Sequence, residues 1–165
     1  MPNAGVPPEQ FRELLGRFAT GVTVLTALSA DRGAGRPIGM TANSLASVSL
    51  DPPLLSVSVD RQHEMHAAME ATSHFVVNIL ADDQEAWSRR FAGTAENRFD
   101  GVGYRESRRG IPLLDGALAH IECEKHAAIA GGDHTVFLGL VTGGAVTNRR
   151  PLLYYRGGYG NLGSD

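Results

Sequence analysis

Twenty glycines and eight prolines interrupt the 165-residue chain at short intervals, and this punctuation limits its fold more than any other feature. Glycine weakens helices and strands through backbone freedom, and proline ends them by lacking an N–H. Glycine makes up about 12% of the chain where ~7% is usual, so many short strands fit better than long helices. The length suits a single domain over residues 1–165, large enough to bury a core of its own. Fifteen Lys and Arg against eighteen Asp and Glu give a net charge of -3, with no one-sided basic patch, which argues against a nucleic-acid partner. No apolar run approaches the ~18 residues that would cross a bilayer, and residues 1–5 lack the basic and apolar pattern of a secretion signal, so a cytoplasmic location is expected. The lone Cys123 excludes an internal disulfide and any four-thiolate metal site.

Along the chain, Pro7-Pro8 leads into Phe11, Leu14, Leu15 and Phe18 at helical spacing, a helix that Gly21 can stop. Val22 to Leu28 reads as a strand ending in the loop Asp31 to Gly35, and a second strand follows Pro37. Strands around Ser47–Leu50 and Leu55–Val59 flank Asp51-Pro52-Pro53, where proline forces a turn. Met65, Ala68 and Met69 mark a short amphipathic helix, and Phe75 to Leu80 a central strand. Asp82 to Gly93 carries a helix signature, with Asp82 as cap, Glu85 completing a capping box and Gly93 as stop; Gly93 to Gly116 reads mostly as loop. Ala117 to His126 alternates, placing Ala119, Ile121 and Cys123 on one face. Strands at Thr135–Val141 and Leu152–Tyr155 bring the total to about seven, with three peripheral helices. The class is mainly β, a closed or nearly closed barrel.

Chemical motifs are sparse. Gly158 to Gly163 matches G-x-G-x-x-G, but only Ser164 and Asp165 follow, leaving no room for the helix that would hold a pyrophosphate; a flexible C-terminal loop is expected. Gly16 to Gly21 has P-loop spacing without its Lys-Ser/Thr ending. His63 and His66 stand three apart without a visible third metal ligand, and a solvated helix face accounts for them. Cys123 and His126 fall on opposite faces of a strand and cannot share a metal. There is no G-x-S-x-G elbow, which counts against hydrolases and lyases. Redox chemistry on a bound organic cofactor stays open, because there the protein chiefly binds and orients.

Two segments carry a resemblance: Arg36 to Ser44, continuing through Ser47 to Leu54, and Gly131-Gly132-Asp133-His134. With Phe18 to Val24, Phe75 to Leu80, Gln84, Phe91-Ala92-Gly93 and Leu152 to Gly157 in the same order, the chain resembles the short-chain flavin reductases that form the small component of two-component flavin-dependent monooxygenases. The resemblance implies a split β-barrel flavin-binding fold and a homodimer with flavin near the subunit interface. It implies NAD(P)H-dependent reduction of FAD or FMN, NADH being preferred, with the reduced flavin passed to a partner monooxygenase. A non-catalytic flavin-storage protein and a flavin-mediated ferric reductase remain alternatives.

By the same resemblance, Pro37, Ile38, Gly39, Met40, Thr41, Asn43 and Ser44 form the strand and loop at the flavin ring. Thr41, Asn43 and Ser44 can offer hydrogen bonds there. Ser58, Val59 and Asp60 would lie along the ribityl and phosphate chain, Arg90 would meet the phosphate with its guanidinium fork, and Phe91 would shield the flavin. Glu64 and Met65 stand where relatives often place a hydroxyl or basic residue beside the phosphates, and a carboxylate there repels phosphate unless it points away. On the nicotinamide side, His134 is the catalytic candidate, with Asp133 beside it, Tyr159 as an aromatic lid and Arg156 near the phosphates. No metal is implied.

Overall fold

The computed structural model describes residues 5–30 and 35–163. Among them are three helices, α1 (Pro8–Leu15), α2 (Glu64–Ala71) and α3 (Glu85–Ala92). Twelve strands make up the rest of the regular structure: β1 (Thr20–Gly21), β2 (Thr23–Leu28), β3 (Pro37–Ala42), β4 (Ala46–Leu50), β5 (Pro53–Asp60), β6 (His74–Ile79), β7 (Tyr104–Glu106), β8 (Pro112–Leu114), β9 (Ala119–Gly131), β10 (His134–Val146), β11 (Leu152–Tyr155) and β12 (Gly158–Asn161).

Seven strands form one antiparallel sheet in the order β3-β2-β6-β9-β10-β5-β4. Its edge strands, β3 and β4, are consecutive in the chain and joined only by Asn43, Ser44 and Leu45. So short a link between opposite edges forces the sheet to curl back on itself. No ladder joins the two edges, and the result is a split barrel. Two irregularities in the β9–β10 pairing, at Leu138/Gly139 and Val141/Gly143, occur on the longest strands, where such bulges bend a sheet. The two-residue loop between them needs Gly132, whose φ is +70°.

Alternation places Leu25, Ala27, Ile38, Met40, Leu55, Val57, Val59, Phe75, Val77, Cys123 and Phe137 in the barrel interior, where Met65, Ala68 and Met69 of α2 also pack. A second cluster of Val22, Val24, Leu80, Phe91, Val102, Leu114 and Leu152 packs the opposite face of β2 against α3, β8 and β11. β6 is buried on both faces, which explains its unbroken apolar run. The polar residue in that run, Asn78, is fully buried: its Nδ2 donates to the Val24 carbonyl (2.9 Å) and Thr26 Oγ1 (3.0 Å), and its Oδ1 accepts the Leu114 N–H (2.9 Å).

Several expectations are corrected. The first helix ends at Leu15, capped by Gly16, and Thr20–Gly21 pairs with β11 instead of continuing it. Phe11, Leu14, Leu15 and Phe18 remain exposed. Helix α3 begins at Glu85 with Gln84 as its cap and no side-chain capping bond; Gln84 Oε1 accepts the Ala81 N–H, and the Asp82 N–H is bound to the Arg150 carbonyl. The expected loop from Gly93 to Gly116 contains the β7–β8 hairpin, whose Leu113 and Leu114 are buried. The expected C-terminal loop is strand β12, reached through Arg156 and Gly157, both with positive φ, as a tight two-residue hairpin requires. β9 and β10 run well past the expected boundaries because they pair with each other along nearly their whole length. Asp31 to Ala34 lie outside the described residues.

Candidate functional site

The split between β3 and β5 organises the candidate residues. β4 covers β5 only as far as Ser56. Beyond that point Ser44 takes the place of a strand partner: its Oγ accepts the Ser58 N–H (3.0 Å) and donates to the Ser58 carbonyl (3.1 Å). This keeps a sheet edge satisfied without closing the barrel. Along the same face of β5, Ser58 and Asp60 lie opposite Val136 and His134 in register. The Asp133 carbonyl accepts the Arg61 N–H, fixing the Gly132-Asp133-His134 turn against the strand end.

At the other end of the linker, a cavity of about 200 Å³ is lined by Val22, Thr41, Ala42, Asn43, Ser88, Ala92, Tyr154 and Tyr159. Thr41 Oγ1 donates to the Ser88 carbonyl (2.6 Å), and Ser88 Oγ lies 2.8 Å from the Tyr159 hydroxyl. Arg89 stacks over the Tyr159 ring at 4.8 Å, with Tyr154 edge-on to it at 5.3 Å. Tyr159 is thus anchored to α3 as a wall. A neighbouring space of about 320 Å³ is lined by Asn43, Tyr154, Tyr155 and Arg156 together with Phe11, Leu15 and Phe18. Asn43 borders both spaces, is exposed, and its amide makes no hydrogen bond among the described residues. An uncommitted amide beside aromatic walls and the Thr41 hydroxyl fits the edge of a planar heterocycle such as a flavin.

A third cavity, about 720 Å³, is lined by Arg36, Gln62, His63, Glu64, Gly93, Thr94, Glu96 and Arg98. Arg98 is buried, donating through Nε to the Ala95 carbonyl (3.0 Å) and through Nη1 to the Gly39 carbonyl (2.9 Å), and its Nη2 meets the Glu64 carboxylate. Arg36 reaches the same carboxylate at 3.1 Å. His63 caps α2 by accepting the Met65 N–H at Nδ1 (3.0 Å), which requires a neutral ring. Burial lowers its pKa, and the Arg98 cation lowers it further, against smaller opposing effects of Glu64 and Asp60.

The sequence-predicted residues divide. Thr41, Asn43 and Tyr159 meet at one cavity, and Arg156 borders the next. Ser44, Ser58, Asp60, Asp133 and His134 follow the strand edge. His134 is not among the residues lining these cavities; its Nδ1 lies 2.7 Å from Asp133 Oδ1, and this hydrogen bond holds the Asp133 carboxyl below the usual carboxylate range. The side chains of Ile38, Met40, Val59 and Met65 point into the core, so any ligand would meet only their backbone. Phe91 is likewise fully buried, and a Cβ on Gly39 would fall 2.6 Å from its ring, so it packs behind β3 inside the core, without the exposed face that the expected shield against water would present. Pro37 is half-buried at the start of β3. Arg90 is engaged with the carbonyls of Arg98 (2.6 Å) and Asn97 (3.1 Å). Sequence reasoning missed Ser88 and Arg98, for nothing local marks a helix serine or a loop arginine as buried.

His63 and His66 are not simply solvated: His66 Nε2 hydrogen-bonds Thr135 Oγ1 (2.8 Å) and its ring packs against Phe137. Among the described residues no cluster of three His, Cys, Asp or Glu is placed to hold a metal ion.

A curled antiparallel sheet left open at one seam, with hydroxyl, amide and aromatic groups gathered beside that seam, defines a split-barrel protein. The family model "Flavin reductase like domain" matches residues 15–163. The chain is 38% identical to the reductase subunit of a flavin-dependent monooxygenase from Rhodococcus jostii, over 97% of this chain and 80% of that one. It is 39% identical to an NADH-dependent FMN reductase of Agrobacterium fabrum, over 98% and 94% of the two chains. The solved NADH:FAD oxidoreductase of Streptomyces globisporus, in complex with NAD and FAD fragments, superposes with a TM-score of 0.89 at 38% identity, covering 98% of each chain. This protein belongs to the flavin reductase like domain family.

Proposed function

We propose that this protein uses NADH to reduce FAD or FMN and releases the reduced flavin to a separate flavin-dependent monooxygenase, working as a homodimer of a single domain. The observation that carries this reading is the uncommitted Asn43 amide between aromatic-walled spaces, within a chain alignable to flavin reductases over nearly its whole length. A bound flavin supplies the hydride-accepting N5, so the protein needs no nucleophile or general base and contributes chiefly position. Thr41 and Asn43 hold the ring, with Pro37 to Met40 offering backbone, and Ser44 and Ser58 keep the seam open beside it. Asp60 continues that edge toward the cavity where Glu64 sits. The Asp133–His134 pair fixes the imidazole orientation while Nε2 makes no hydrogen bond among the described residues, leaving it to position a nicotinamide. Arg156 and the anchored Tyr159 give that side a cationic and an aromatic wall.

A second copy of the chain is supported by exposed Phe11, Leu14, Leu15 and Phe18, and by an apolar hollow of about 610 Å³ at Leu45, Leu54, Ile121 and Val141. Such apolar surface on one molecule marks an association site. Light scattering at micromolar concentration should report a dimer, and a monomer would remove that part of the reading.

The test of activity is NADH and NADPH oxidation with and without added FAD or FMN. His134→Ala should lower the NADH-dependent rate on the order of tenfold to a hundredfold with flavin affinity unchanged. Asn43→Ala should instead weaken flavin binding by about 1 kcal/mol, the worth of one neutral hydrogen bond. Flavin-independent oxidation, or a His134→Ala protein with wild-type kinetics, would overturn these assignments.

A further inference from the structure

The cavity lined by residues 62–64, just past Asp60 in the chain, brings two guanidinium groups together with two carboxylates among the described residues. Arg36 and Arg98 both contact the Glu64 carboxylate, and Glu96 lines the same space, so among the described residues lining it two cations face two anions. His63 Nδ1 accepts the Met65 N–H there, so that nitrogen carries no proton, and burial lowers the ring's pKa. The two arginines are not equivalent. The Arg98 side chain is 8% exposed and its other donors are occupied by the carbonyls of Gly39 and Ala95, so it depends on Glu64 as counter-ion. The Arg36 side chain is 57% exposed, on the rim. Arg90, the cation first suggested by the sequence, is engaged elsewhere.

We propose that Glu64 is an internal competitor for the phosphate of the flavin: its carboxylate holds the Arg36 guanidinium in the free protein, and an incoming phosphate must take Arg36 from it while Arg98 keeps its counter-ion. This rests on the flavin reductase reading and deepens it, assigning the phosphate subsite to Arg36 and giving Glu64 the role of weakening it. A phosphate monoester carries about -1.5 to -2 charges, so an adjacent carboxylate opposes it directly. A reductase that must surrender its reduced product gains from such a competitor, since tight ground-state binding slows release.

The experiment compares flavins with and without phosphate. Binding of FMN, FAD and riboflavin is measured by quenching of flavin fluorescence in wild-type protein, Glu64→Gln and Arg36→Ala. Glutamine keeps a carbonyl acceptor for Arg98 and removes the charge, so Glu64→Gln should bind FMN and FAD on the order of tenfold more tightly while riboflavin is unchanged. That gain should shrink at high salt. Arg36→Ala, which leaves the buried Arg98–Glu64 pair intact, should erase the preference for FMN over riboflavin. Equal affinities in wild type and folded Glu64→Gln, or a gain shared by riboflavin, would overturn the proposal. Should Glu64→Gln fail to fold, Arg36→Ala decides alone: an unchanged FMN preference refutes it. A wild-type protein that binds and reduces flavin while these variants show no shift defeats only this inference, whereas one that binds no flavin defeats the reductase reading too.

Discussion

Replacing Asn78 by alanine should be among the most damaging single changes in the barrel. The side chain is fully buried on β6 and joins three elements: the Val24 carbonyl and Thr26 hydroxyl of β2, and the Leu114 N–H of β8. Each bond contributes about 1 kcal/mol net, and an N–H stranded without water costs ~1–3 kcal/mol, so a loss of roughly 3–5 kcal/mol is expected. In a chain of this size each kcal/mol moves Tm by about 2–4 °C, giving a fall of roughly 6–20 °C. Thermal unfolding followed by circular dichroism measures this directly. Thr26 Oγ1 also donates to the Pro112 carbonyl (2.7 Å), so the Asn78 and Thr26 substitutions share a network. A double-mutant cycle with Thr26→Val should return a coupling on the order of 1 kcal/mol. A Tm drop under about 3 °C for folded Asn78→Ala, or no coupling to Thr26, would refute the assignment of this network as a main tie between barrel and outer layer.

Other consequences follow from the titrating groups. The folded pKa of His63 lies below the ordinary imidazole value of 6.5, so its contribution is present above pH 6.5 and is lost as pH falls through the folded value. Tm should therefore decline on the acid side of 6.5, and His63→Asn, which can still cap α2 but does not titrate, should flatten part of that decline; His74, whose pKa burial also lowers, accounts for some of the remainder. An unaltered pH profile in His63→Asn would rule out the neutral cap. Burial pushes the Cys123 thiol up to about 12, so a disulfide reagent at neutral pH should label it only after unfolding. Rapid labelling of native protein would contradict its place in the core.

The β-rich class was legible because strand signals are local. Alternation at Ala119, Ile121 and Cys123, proline at 52 and 53, and the uninterrupted apolar run of β6 each report burial through neighbouring positions. Helix ends were less legible. Phe18 continues the apolar spacing of α1, but pairing of Thr20 with Tyr154, more than a hundred residues away, takes that segment out of the helix. The β7–β8 hairpin and β12 escaped notice because their strands are short and owe their form to partners.

For the site, the sequence by itself determined which chemistry was available: hydroxyl and amide groups at Thr41, Asn43 and Ser44, a His134 turn made possible by Gly132, and a family resemblance spanning them. Tertiary structure decided which of these meet. Curling a seven-stranded sheet until its edges are three residues apart sets Ser44 on Ser58, turns Met65 and Phe91 into core, binds Tyr159 to Ser88, and places one carboxylate between Arg36 and Arg98. The physical reason is that side-chain periodicity is set within a few residues, while burial and pairing of charge depend on contacts between segments far apart in sequence, which only the closing of the sheet brings together.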